Sequence, residues 1–120
     1  MKRPRLLLAA LLVACCGLVH GRMPAPEQAR VDQLIDIVAR QTDAAFIRNG
    51  NTYSSAEAAS FMRRKLAAMG GDVSSADDFI AQIATRSSMS GEPYRIRFAD
   101  GREMPSARFM SAQLRRLRGR

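Results

Sequence analysis

The chain has 120 residues, a net charge of +8, two cysteines, one histidine and no tryptophan. That length supports one hydrophobic core and not two. His20, Cys15 and Cys16 all fall within the first twenty residues. The remaining chain therefore lacks the residues for a Ser-His-Asp or Cys-His catalytic group, the usual zinc sites or a disulfide.

Met1-Lys2-Arg3-Pro4-Arg5 is a cationic start, and Leu6 to Val19 follows without a charge. This order is that of a secretory signal, and the apolar run is too short for a membrane-spanning helix, which needs ~20 apolar residues. Val19-His20-Gly21 offers a cleavage site that would make Arg22 the mature N-terminus. Leu12-Val13-Ala14-Cys15 also resembles a lipobox, in which case Cys15 is lipidated and tethers the protein to a membrane. The expected organisation is a signal peptide over 1–21, a linker over 22–29 around Pro24-Ala25-Pro26, and a single domain over 30–118. The expected location is the periplasm, with a membrane-anchored lipoprotein as the alternative.

The first helix reads from Pro26 to Thr42, with Val31, Leu34, Ile35 and Val38 recurring at helical spacing. Phe46 to Tyr53 reads as a tight hairpin turning at Asn49-Gly50, a pair suited to the positive φ values of a type I′ turn. Ser54-Ser55-Ala56-Glu57 matches a capping box and opens a second helix, ending at Gly70-Gly71. Its apolar face comprises Ala58, Phe61, Met62, Leu66 and Met69. A third helix starts at Ser74 or Ser75, with Asp77 and Asp78 in its first turn, where the helix dipole favours acids.

Ser87 to Pro93 is a loop by composition. Tyr94, Ile96 and Phe98 then alternate with Arg95 and Arg97 as a strand with one apolar face. Asp100-Gly101 marks a second hairpin turn, and Ser106 reads as the cap of a last helix running to about Leu117. The expected fold is α+β, with about four short helices and two β-hairpins in one small antiparallel sheet. Asn49-Gly50 and Asp100-Gly101 each precede a strand-like stretch, then Ser-Ala, then an amphipathic helix. Two hairpin–helix units pairing their strands, or a chance likeness between two common local arrangements, would each produce this echo.

The charge is concentrated at the C-terminal end. Arg102, Arg108, Arg115, Arg116, Arg118 and Arg120 face a single acid there, Glu103, and Lys65 is the only lysine after Lys2. Arg108, Arg115, Arg116 and Arg118 are candidates for contact with an anionic surface. Export argues against a nucleic-acid partner. It also argues against ATP chemistry, for which there is no phosphate-binding loop. Asp77-Asp78 is the only adjacent acidic pair, but neighbours on a helix point about 100° apart.

Several ordered blocks carry a family resemblance. Phe46-Ile47-Arg48-Asn49-Gly50, Glu57-Ala58, Arg63-x-Lys65-Leu66, Ala76-x-x-Phe79-Ile80 and Ala84-x-x-Ser87-Ser88-x-x-Gly91-x-Pro93-Tyr94 together resemble the YfeK-like family. These are small exported proteins of Gram-negative bacteria, of unknown function. The likeness covers roughly Val31 to Ile96 and is weaker in the last helix. It implies export and supplies no reaction. Arg48, Asn49, Gly50, Glu57, Lys65, Ser87, Ser88, Gly91, Pro93 and Tyr94 coincide with the shared pattern. Met62 departs from it, since family members carry histidine there; if that histidine mattered for function, this protein lacks it.

The expectation is a non-enzymatic envelope protein without a cofactor or metal. Its partner would be another envelope protein or an anionic envelope component, met by the hairpin tip (Arg48, Asn49) and the Ser87–Tyr94 loop. The alternative is a membrane-surface or polymer binder acting through the arginine-rich last helix, with Phe109 and Leu117 adding apolar contact. A hydrolase using Glu57 or Asp78 is a third reading, and a cleft with two facing carboxylates would favour it.

Overall fold

The computed structural model describes residues 23–119. The expected signal segment, Cys15 and the expected cleavage site lie outside the described residues. Four helices and four strands follow in the order α1 (Ala25–Ala39), β1 (Ala45–Arg48), β2 (Asn51–Tyr53), α2 (Ser55–Met69), α3 (Ala76–Gln82), β3 (Arg95–Arg97), β4 (Glu103–Pro105) and α4 (Ser106–Arg118). A single 3₁₀ turn over Gly70–Asp72 separates α2 from α3.

The first helix corrects one expected boundary. α1 begins at Ala25, with Pro26 in its first turn, so residues 25–29 are helical and not linker. Proline is tolerated there because the N–H it lacks would have no intrahelical acceptor. The helix also ends sooner than expected, at Ala39; Gln41 donates its side-chain amide to the Ile37 carbonyl, 3.0 Å away, and closes the end.

Both hairpins form at their predicted turns. Asn49 and Gly50 have φ of 51° and 79°, the left-handed pair that a type I′ turn requires. The second turn closes with Gly101 N–H on the Phe98 carbonyl and Phe98 N–H on the Arg102 carbonyl. Gly101, at φ 90°, takes the left-handed position of this three-residue loop. The sheet order is β2-β1-β3-β4, antiparallel throughout, and the two hairpins join by pairing β1 with β3, Phe46 opposite Ile96.

Strand alternation puts Phe46, Arg48, Tyr53 and Ile96 on the helix-covered face. The other face carries Ile47, Arg95, Arg97 and Glu103, and the Glu103 carboxylate accepts from both arginines across the strands. Val31, Leu34, Ile35 and Val38 of α1 are buried against Ala59 and Met62 of α2, Phe79 and Ile80 of α3, and Phe109, Met110 and Leu114 of α4. The predicted apolar stripes meet in one core, except at the end of α2, where Met69 is exposed and Lys65 is buried.

Glu27 fastens α1, α3 and α4 together. Its carboxylate accepts from the Ala76 backbone N–H at 3.1 Å, pairs with Arg30, and lies 3.8 Å from Arg118. One side chain of α1 therefore serves the N-terminus of α3 and the last turn of α4. The backbone N–H and then Arg30 hold its carboxyl below the usual carboxylate range.

Candidate functional site

Local chemistry sets the frame of the site. Ser54 caps α2, accepting from Glu57 N–H at 3.1 Å, and Glu57 returns its carboxylate to Ser54 N–H at 3.2 Å. This box fixes where α2 leaves the hairpin, and such caps contribute ~1 kcal/mol. Between the inner face of the first hairpin and α2 lies a cleft of about 350 Å³. Phe46, Tyr53, Phe61, Met62 and Tyr94 form its apolar walls, and Arg48, Ser106, Glu57 and Arg64 are its principal polar groups.

Arg48 is the charged group inside this cleft. Its guanidinium lies 4.1 Å from the Phe61 ring centroid and 5.2 Å from that of Tyr53, so two aromatic faces hold it. It makes no ion pair among the described residues, and its Nε is buried without a hydrogen-bond partner.

Lys65 stands behind the Tyr94 wall. It is 7% exposed, and its ammonium donates to the Arg86 carbonyl at 2.9 Å and the Tyr94 phenol oxygen at 3.1 Å. No carboxylate pairs with it among the described residues. Burial, and secondarily the like charge of Arg48, push its pKa down, because both disfavour the ammonium. Burial pushes the Tyr94 phenol up, against the opposing pull of Arg48. The Tyr94 ring also meets Phe61 edge-on, at 6.0 Å between centroids.

The remaining residues of the shared pattern form a latch. The Asn49 amide donates to Ser87 Oγ at 3.3 Å, and its carbonyl oxygen accepts from Ser90 Oγ. Ser87 Oγ also accepts from the backbone N–H groups of Met89 and Ser90. Gly91 sits at φ 75°, and its N–H returns to the Ser87 carbonyl at 2.9 Å. Pro93 makes an isolated bridge with Arg86. Ser88 is exposed beside the Met69 sulfur.

The structure therefore brings Arg48, Asn49, Lys65, Ser87 and Tyr94 into one neighbourhood. Arg48 is stacked between rings, Asn49 is bound by the neighbouring loop, and Lys65 and Tyr94 are buried. Of the expected partner surface, Asn49, Gly50, Ser88, Gly91 and Pro93 are exposed, whereas Arg48 lines the cleft and Lys65, Ser87 and Tyr94 are buried. Glu57 reaches only the rim and serves the capping box.

Ser106 also departs from expectation. Pro105 occupies the cap position of α4, and Ser106 is its first helical residue, with no side-chain capping bond. Its backbone N–H donates to the Tyr94 carbonyl at 2.8 Å. The hydroxyl is left buried, without a partner, on the cleft wall.

In α4, Arg118 pairs with Asp77 through both carboxylate oxygens, whereas Arg108, Arg115 and Arg116 are exposed without an ion pair among the described residues. Phe109 is buried and Leu117 packs against the core, so the apolar contact expected at a membrane is spent within the fold. Asp78 accepts from Ser74 N–H at 3.0 Å and Ser74 Oγ at 2.8 Å, which lowers its pKa and fixes the turn before α3. Glu57 and Asp78 thus serve separate helix starts and do not face one another.

A fold with an open apolar cleft and two cations unpaired by acids among the described residues defines a small α+β protein, and the comparisons agree on its kinship. Residues 25–118 match the family of unknown function DUF5329, to which the chain belongs. It is 36% identical over 70 residues to the uncharacterized protein YfeK of Salmonella typhimurium strain LT2, an overlap of 58% of each chain. No solved structure matches.

Proposed function

We propose that the protein is an exported, non-enzymatic binding module of the cell envelope, and that its binding site is the cleft between the first hairpin and α2. The observation that carries this reading is the cleft itself. It has the apolar walls and few convergent polar groups of a ligand site, at the small end of the ~300–1,000 Å³ range of such pockets. The family-pattern residues support it from behind: the Asn49–Ser87 latch fixes the hairpin, and Lys65 fixes Tyr94.

Native mass spectrometry of the protein recovered from its own cells tests this. Ala56 is exposed and lines the cleft, so Ala56→Trp obstructs the cleft without touching the core. A small-molecule adduct on the wild type that the variant lacks is the expected result. An unliganded wild type, or an adduct that survives the obstruction, refutes the reading. The same spectra read the mature N-terminus: Arg22 means a soluble periplasmic protein, acylated Cys15 a tethered one, and an uncleaved Met1 refutes export.

A second reading rests on α4, whose Arg108, Arg115 and Arg116 share an exposed face free of pairing acids among the described residues. It is association with an anionic lipid or polymer surface by charge alone. Liposome co-sedimentation should then rise with anionic lipid and fall with salt; insensitivity to both refutes it.

A further inference from the structure

We infer that the ligand of the cleft is a small free anion, a carboxylate or phosphate monoester, carrying a short apolar body. This rests on the reading of the cleft as the binding site, and it adds what the cleft selects. The charged group on its inner walls, the Arg48 guanidinium, is a donor only, with Nη2 3.5 Å from the Tyr53 hydroxyl, and the Ser106 hydroxyl can donate. The guanidinium of Arg48 is clamped between Phe61 and Tyr53, its Nε–H buried with no acceptor. Ser106 is 1% exposed, and its hydroxyl is equally without a partner. A buried polar group left unpaired is uncommon in a native fold, and two on the wall of one cleft ask for an acceptor from outside.

Charge narrows the choice. Ser106 opens α4, the positive end of a thirteen-residue helix. Lys65 adds a second cation behind Tyr94. On the rim, Glu57 is engaged by Ser54 N–H and Arg64 by Ser60 Oγ. The cleft interior is therefore positive and lacks an internal anion. Its walls of Phe46, Phe61, Met62 and Tyr94 would leave the hydroxyls of a sugar unpaired, so the rest of the ligand is apolar. An apolar cavity of about 150 Å³ holds a benzene, so about 350 Å³ holds a ring or short chain with its headgroup.

The protein carries its own reporter. It has two tyrosines and no tryptophan, and both tyrosines line this cleft. Tyrosine emission of the whole chain is titrated with octanoate, octyl phosphate, octanol and octyltrimethylammonium. Octanoate and octyl phosphate should bind saturably, at least about tenfold more tightly than octanol, and the ammonium should not bind. Arg48→Gln should reduce the octanoate-over-octanol preference below about threefold, whereas Arg48→Lys, which keeps the charge, should retain part of it. Ser106→Ala should weaken octanoate and leave octanol unchanged. Equal binding of octanoate and octanol overturns the inference and leaves the cleft as the binding site. No response to any octyl probe overturns both. A response to vesicles containing phosphatidylglycerol but not to octanoate also overturns the inference, because the anion would then be a bilayer lipid.

Discussion

Replacing Asn49 separates the two tasks it performs. Asn49→Gly keeps the left-handed backbone at φ 51° and removes the side-chain bonds to Ser87 and Ser90. Two neutral, partly exposed hydrogen bonds contribute ~0.5–1 kcal/mol each, and the added glycine freedom costs ~0.5–1 kcal/mol more. The expected loss is thus ~1.5–3 kcal/mol. Asn49→Ala loses the same bonds without the glycine entropy term, but holds a Cβ in the left-handed region at ~1–2 kcal/mol. It should be the more damaging of the two by roughly 0.5–1 kcal/mol, from the difference of those terms. Urea unfolding followed by circular dichroism measures both, and 1 kcal/mol corresponds to ~4–8 °C in Tm for a domain of this size. Ser87→Ala completes a double-mutant cycle, in which a coupling of ~0.5 kcal/mol or more is the signature of the latch. If Asn49→Gly costs nothing, or the cycle is additive, the latch does not hold the hairpin and these residues need another explanation.

Three further outcomes follow from the same geometry. The carboxyls of Glu27, Asp77 and Asp78 are all lowered by their partners. The stability they contribute is therefore present above their ordinary values near 4 and is lost as pH falls through the folded-state values; Glu27→Gln should flatten that acid limb in pH-dependent melting. Lys65 titrates below its ordinary 10.5, so its burial opposes folding while it is protonated, and stability should rise as pH climbs from its folded value toward 10.5. Lys65→Met should abolish that rise in an alkaline denaturation series. Replacing Arg108, Arg115 and Arg116 together by alanine should shift the unfolding free energy by no more than about 0.5 kcal/mol per site, whereas Arg118→Ala should loosen the last turn of α4, seen as faster amide exchange there.

Several structural choices made within a few residues are announced by the sequence. Asn49-Gly50 demands its turn, Ser54 and Glu57 declare the start of α2, and the Val31–Val38 spacing marks the buried face of α1. The site depends on contacts between distant residues. Asn49 meets Ser87 and Ser90, Lys65 meets Tyr94, and Glu27 meets Ala76 and Arg118, and no local periodicity encodes such pairings. The family pattern includes Asn49, Lys65, Ser87 and Tyr94, and the structure buries Lys65, Ser87 and Tyr94 while Asn49 stays exposed at the turn. Phe61 and Tyr53 read as ordinary apolar and strand residues, because stacking on a guanidinium leaves no mark in spacing. Ser106 was misplaced by one position: Pro105 takes the cap site, which leaves the hydroxyl facing the cleft. Nothing in the sequence distinguishes the two arrangements of a Pro-Ser pair.

The pairing of β1 with β3 has a kinetic consequence. The first hairpin has strands of four and three residues, too short to persist alone. Its stabilising neighbour, Ile96 opposite Phe46, lies fifty residues later in the chain. Closing that loop must precede the reward, which is the situation that slows folding. A chain emerging N-terminus first would carry α1 and α2 without a sheet until the second hairpin arrives, and its cleft would have only one wall. Truncation before β3 should thus leave no smaller folded unit, and the competence to bind should appear in a single late step, together with the completed sheet.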